Sequence, residues 1–178
     1  MPGPSGSRPP ESWEEAVRNG PWGPPPPFRA PSGDLVEALR AVYARADEAL
    51  AAITVCQGCG RCCRFERLSP VLFASALELA CLVAAGGMPC PEKAVPPGQP
   101  DAPWHCPYQE GDRCGAREAR PLGCRTYFCD AEAREAGEGA YAEALREIQR
   151  IAAGQEPWWY GPARLYLEHV QARPQTAV

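Results

Sequence analysis

Four cysteines fall within eight residues, Cys56, Cys59, Cys62 and Cys63, in the spacing Cys-x2-Cys-x2-Cys-Cys. No helix or strand periodicity calls for such a run. Two-residue gaps let a tight turn aim successive sulfurs at one centre, which is how chains hold zinc or iron–sulfur clusters. Gly58 and Gly60 lie between the cysteines, and such turns need backbone conformations open mainly to glycine. Disulfides or buried free thiols are the competing reading. The setting disfavours them: the opening Met-Pro-Gly-Pro-Ser-Gly lacks the apolar stretch of a signal peptide. A cytoplasmic, reducing location is expected, where clustered thiols bind metal more often than they pair.

Ten of the 178 residues are cysteine, below the density of a small disulfide scaffold. Cys106, Cys114, Cys124 and Cys129 form a second, looser group among turn residues: Pro107, Gly111-Asp112 and Gly123. With the first block they make eight thiols, enough for two four-ligand sites or for one site with thiols to spare. Adjacent side chains diverge, so Cys62 and Cys63 do not suit one mononuclear tetrahedral ion. Cys56, Cys59 and Cys62 offer three corners of a 4Fe–4S cubane, and a remote Cys-Pro such as Cys106-Pro107 completes a ferredoxin-type motif. Cys56 and Cys59 paired with Cys124 and Cys129 would equally make a Zn2+ site. Spacing leaves the choice between iron–sulfur and zinc open. Cys81, within an apolar segment, is expected to be a buried inert thiol, and Cys90, between prolines, a spare one. His105 abuts Cys106 but competes with better-placed sulfurs. His169 is expected at the surface or in the core. Arg120 and Arg125, beside the cysteines, suit hydrogen bonds to sulfur or neutralisation of thiolate charge, with surface ion pairs as the alternative.

Around these blocks the chain is expected to be mainly α: a small, loop-rich helical domain held together by cysteine-ligated metal. Residues 1–33, rich in proline, are expected to be a disordered tail, with Trp13, Trp22 and Phe28 able to dock on the core. The cysteine-cluster domain spans 34–172, and 173–178 form a C-terminal tail. A helix is expected from Asp34, as its cap, to about Ile53, with Leu35, Leu39, Val42, Ala46 and Leu50 on one face. A second starts at Ser69-Pro70 and stops at Gly86-Gly87. A third covers 130–153, broken or kinked near Gly137 and Gly139, and a short fourth opens at Pro162. Trp158-Trp159-Tyr160 is expected to anchor the core. No alternating run is strong enough to indicate a sheet. The apolar stretch 71–85 is interrupted by Glu78 and is too short to cross a bilayer.

The net charge of −4 gives no general attraction to nucleic acid, so no nucleic-acid or membrane partner is expected. At Cys56 to Cys63 followed by Arg64, at Cys106-Pro107-Tyr108, at Gly111 to Cys114 and at Arg120-Pro121-Leu122-Gly123-Cys124-Arg125, the chain resembles the CxxCxxCC cysteine-cluster family, described as zinc- or iron-chelating. The match covers about 56–129; Gly115-Ala116 stands where the family often has Ile-Tyr. The resemblance implies metal binding, with members often described as iron–sulfur proteins, and tips the balance towards iron. Three functions compete: a structural or electron-transferring iron–sulfur protein, a zinc-stabilised module that binds a protein partner, and an iron–sulfur-dependent modifying enzyme. No glycine-rich nucleotide loop supports the last, and a non-enzymatic role is expected.

Overall fold

An apolar run with no polar face has to sit at the centre of a domain. The run after Ser75 does so in the computed structural model, which describes residues 20–53, 71–90, 105–128, 130–154 and 158–172. Helix α1 is Gly33–Leu50, strand β1 is Phe73–Ser75, and helix α2 is Ala76–Gly86. A hairpin of β2 (Gln109–Glu110) and β3 (Arg113–Cys114) follows, then the short α3 (Leu122–Thr126) and the long α4 (Ala131–Ala152). Strand β4 (Tyr160–Pro162) and helix α5 (Ala163–Ala172) complete the described elements. The mainly helical expectation holds. None of the described helices is long and apolar enough to cross a membrane.

Helix α2 buries Leu77 through Val83 without interruption. Leu77 and Cys81 face a cluster with Leu39, Val42, Tyr43 and Ala46 of α1 and Ala144, Ile148 and Ala152 of α4. Leu79, Leu82 and Val83 face a second cluster with Tyr108, Ala116, Trp159 and Tyr166, Leu167 and Val170 of α5. One helix therefore joins the two larger clusters of the core. α1 and α4 run antiparallel, since Arg45 pairs with Glu147 while Leu50 meets Gly137.

The expected face of α1 is the buried one, with Tyr43 added and Leu35 only partly covered. Its cap is Ser32, whose Oγ accepts from Leu35 N at 3.4 Å. Asp34, expected as the cap, lies in the first turn, where its charge complements the helix dipole. α4 is capped by Asp130, which accepts from Ala133 N at 2.9 Å, and runs unbroken through Gly137 and Gly139. The expected break is absent. A Cβ on Gly137 would stand 3.3 Å from Leu50 Cδ2, so this glycine serves close packing against α1.

The expected helix start at Ser69-Pro70 lies outside the described residues, but 73–75 are strand, not helix. β1 pairs antiparallel with β4, Phe73 opposite Pro162 and Ser75 opposite Tyr160. Ala163 N to Leu72 O (2.8 Å) and Ala76 N to Trp159 O (3.0 Å) extend the ladder. Pairing with a distant segment overrides a weak local helical preference. Pro162 is tolerated because a two-stranded ribbon has a free edge. Sheet pairing, for which the sequence showed no signal, thus contributes two short ribbons among the described residues.

Of the expected N-terminal tail, 1–19 lie outside the described residues, while 20–32 lie against the core. Trp22 meets Phe73 edge-on with centroids 5.3 Å apart, Trp159 Nε1 donates to Gly23 O at 3.3 Å, and Phe28 packs on the α2–α5 cluster. An aromatic edge contact adds ~1 kcal/mol and a net hydrogen bond ~1 kcal/mol. A chain starting at Ser32 is therefore expected to melt roughly 4–8 °C lower by circular dichroism while binding the same amount of metal; an unchanged melting point would show that these contacts contribute nothing. In the aromatic connector, Trp159 is the core anchor at 4 % exposure. Trp158 is exposed and stacks on Tyr160, so the expected core anchor is Trp159 and not the whole run.

Candidate metal centre

The second cysteine block is built on turns. Gln109 N donates to Cys106 O at 3.0 Å, closing a four-residue turn in which Pro107 supplies the fixed φ favoured at its second position. Gly111 takes φ +60, a conformation that favours glycine, and reverses the chain so that Cys114 stands opposite Gln109. Tyr108 fastens this hairpin to the end of α2: its hydroxyl donates to Gly87 O at 3.0 Å. A Cβ on Gly86 would lie 2.8 Å from the Tyr108 ring. Cys106 and Cys114 are both half-buried against the α2–α5 cluster.

Cys124 lies in α3, whose cap position is Pro121 and offers no side-chain acceptor. Glu78 supplies one from another helix. Its Oε1 accepts from Leu122 N at 2.8 Å and from the Tyr43 hydroxyl at 3.2 Å. Its Oε2 accepts from Ser75 N and Ser75 Oγ, both at 2.8 Å. Ser75 and Glu78 also form a capping box on α2. Glu78 is 1 % exposed. Burial holds its carboxyl above the usual range, although the four donors pull the other way. Gly123 completes the fit, because a Cβ there would meet Leu72 Cδ1 at 2.8 Å.

Arg125 occupies the other side of this segment. Nη1 donates to Asp47 Oδ2 at 2.6 Å, Nη2 to Glu118 O at 2.5 Å and Nε to Arg120 O at 3.0 Å. The guanidinium carbon stands 4.1 Å above the Tyr43 ring centre, a cation–π contact. All three nitrogens are thus committed to oxygens. The expected ion pair is present, to Asp47, but the arginine is buried rather than on the surface; among the described residues its hydrogen bonds run to oxygen, none to sulfur. Arg120 is different: its Nε is buried and has no hydrogen-bond partner among the described residues. Metal–thiolate centres carry negative charge and are tuned by N–H donors around them, a role open to an unpaired N–H four residues before Cys124.

Cys56, Cys59, Cys62, Cys63 and Cys129 lie outside the described residues. Among the described residues no three His, Cys, Asp or Glu side chains converge as a metal-holding group, so Cys106, Cys114 and Cys124 do not form a site by themselves. His105, beside Cys106, is half-buried. Cys81 is buried in the α1–α2–α4 cluster, and burial, then the Glu78 charge, push its thiol up to about 11. Such a thiol is inert. Cys90 is half-buried and lines a cavity of about 100 Å³ with Met88, Tyr108 and Glu110. His169 is half-buried on α5.

The frame around the cysteines, Glu78, Tyr43 and Asp47, was not expected. The Ser75-x2-Glu78 spacing ahead of an apolar run was its one sequence signal. A scan of family models finds no match to this chain, and neither the curated proteins nor the solved structures yield a similar one.

Proposed function

We propose that this chain is a metal-binding cysteine-cluster protein, of the iron–sulfur kind, with a structural or electron-transferring role in the cytoplasm. The observation that carries this reading is a small apolar cluster: Leu50, Phe128 and Ala133, with Ile53 packed against them. Phe128 directly precedes Cys129, and Ile53 lies three residues before Cys56. An extended chain spans at most ~3.6 Å per residue. The start of the first block is therefore tethered within about 11 Å of Ile53. The chain entering the first block and the residue before Cys129 thus meet at one end of the α1–α4 pair, which supports a shared centre.

Cys56, Cys59 and Cys62 would hold the group with a remote thiol such as Cys106. Cys63, Cys114, Cys124 and Cys129 would serve a second site or support the first. Such a cluster supplies one-electron chemistry and covalent cross-linking of the chain. Cys81 stays outside it, because an apolar site keeps that thiol protonated.

A second reading, a zinc-stabilised module that binds a protein partner, is favoured by the exposed Trp158 at 39 %, next to Tyr160, Phe73 and Trp22. Aromatic side chains in a row at the surface are enriched where proteins meet. The net charge of −4 gives no reason to propose a nucleic-acid partner. Purification without oxygen, followed by iron, zinc and acid-labile sulfide analysis, separates the two. A brown protein with iron and sulfide supports the first reading. A colourless protein with stoichiometric zinc supports the second. A protein that takes up neither ends both.

A further inference from the structure

We infer that the surface under residues 20–31 is a seat for proline-rich segments in polyproline II form: the chain's own segment fills it, and a proline-rich segment of another protein docks by displacing that segment. The inference rests on the protein-binding half of the second reading and owes nothing to the metal. Six of the twelve residues 20–31 are proline. Proline has no backbone N–H, and polyproline II forms no internal hydrogen bonds. Such a segment offers carbonyls and apolar rings, so its seat has to supply donors and flat apolar faces.

The surface supplies both. Trp159 Nε1 donates to Gly23 O, Phe73 takes Trp22 edge-on, and Phe28 packs on the α2–α5 cluster. A Cβ on Gly161 would stand 2.5 Å from the Trp159 ring, so this glycine makes room for the indole, with Tyr166 at 6.0 Å beyond it. The seating also has the period of polyproline II. In 21–32 the half-buried residues are Trp22, Pro25, Pro26, Phe28 and Pro31, and the others are exposed. Trp22, Pro25, Phe28 and Pro31 stand three apart, the spacing that brings residues to one side of a three-residue turn. Aromatic-lined surfaces recognise proline-rich partners in this way. A segment that only closed the core would bury its side chains, yet none of residues 20–32 is fully buried. It lies where a competitor can lift it. The aromatic row runs on to the exposed Trp158, a first contact for an incoming segment. Until then the tethered segment competes at an effective concentration of about millimolar, which screens out weak ligands.

The test uses the full chain and a fluorescein-labelled peptide with the sequence of residues 20–31, followed by fluorescence anisotropy. Trp22→Ala and Phe28→Ala loosen the chain's own segment. Both are expected to bind the peptide at least about 10-fold more tightly than wild type, as a seat open for one-tenth of the time or less requires. The same peptide carrying Trp22→Ala is expected to bind the Phe28→Ala chain about 5-fold more weakly, through loss of the aromatic edge contact. A peptide of the same composition in scrambled order is expected not to bind. Circular dichroism checks that the variants are folded, and either one suffices. Folded variants that bind no peptide, or that bind the scrambled one equally well, overturn the seat. Equal affinity of wild type and variants overturns the displacement. A wild-type dimer on size exclusion that Trp22→Ala makes monomeric overturns the foreign partner, since a second copy's segment then fills the seat. Iron, zinc and sulfide analysis of the same samples decides the metal separately, so the two can fail independently.

Discussion

Glu78→Ala is expected to lower the unfolding free energy by about 3–5 kcal/mol, the cost of breaking a buried charged network by removing one member. The carboxylate serves Leu122 N, Ser75 N, Ser75 Oγ and the Tyr43 hydroxyl. Alanine would orphan all of these groups in a site that water does not reach. An orphaned buried donor costs ~1–3 kcal/mol, and relaxation recovers part of the sum. In melting temperature this corresponds to a fall of roughly 10–15 °C. Urea unfolding measures it directly; a loss under about 1 kcal/mol would mean the network is dispensable. Glu78→Gln keeps an acceptor and is expected to cost less. It also tests the pH dependence. Burial raises the folded-state pKa of Glu78 above its ordinary 4.5, so the folded chain binds this proton more tightly than the unfolded one. The Glu78 contribution is then most favourable below pH 4.5 and declines as pH rises to the raised folded value. Glu78→Gln should remove that slope, and identical pH profiles for it and wild type would contradict the assignment.

The second large effect concerns the thiols. Cys59→Ser is expected to abolish the visible absorption and acid-labile sulfide of protein prepared without oxygen, because a cubane held by Cys56, Cys59 and Cys62 cannot lose its middle corner. Cys81→Ala, by contrast, is expected to retain the full metal content, since that thiol packs with Leu77 and Leu122 inside the core. Loss of a metal equivalent from Cys81→Ala would make Cys81 a ligand, and a fully coloured Cys59→Ser would remove the first block from the site.

The sequence made visible what is local. Helix α4 announces itself through Asp130 and a stop at Gly154, and α1 through its apolar spacing. The β1–β4 ribbon does not, because Phe73 meets Pro162 from 89 residues away, and neither segment alternates over enough residues. The start of α2 was misplaced because Ser69-Pro70 and Ser75-x2-Glu78 are both good helix openings; tertiary pairing of 73–75 decides between them. In the candidate site the cysteine spacing is legible in the sequence, while its frame is not. Arg125 and Asp47 are 78 residues apart, and a charge pair over that distance leaves no pattern. Gly137 misled for a related reason, since a glycine inside a helix reads the same whether it bends the helix or admits a neighbour.

The β1–β4 ribbon also has a consequence for the order of events during synthesis. Its second strand is made after the last of the ten cysteines, Cys129. Every thiol therefore leaves the ribosome before the ring of chain from Phe73 to Pro162 can close. Closing so long a loop is slow relative to local helix formation. During that interval the thiols are accessible while Trp159, Tyr166 and Leu167 have yet to cover the α2 face. On the metal-binding function proposed above, that interval is when the thiols meet metal most openly, so metal supplied during synthesis is expected to load the chain more fully than metal added to the finished fold.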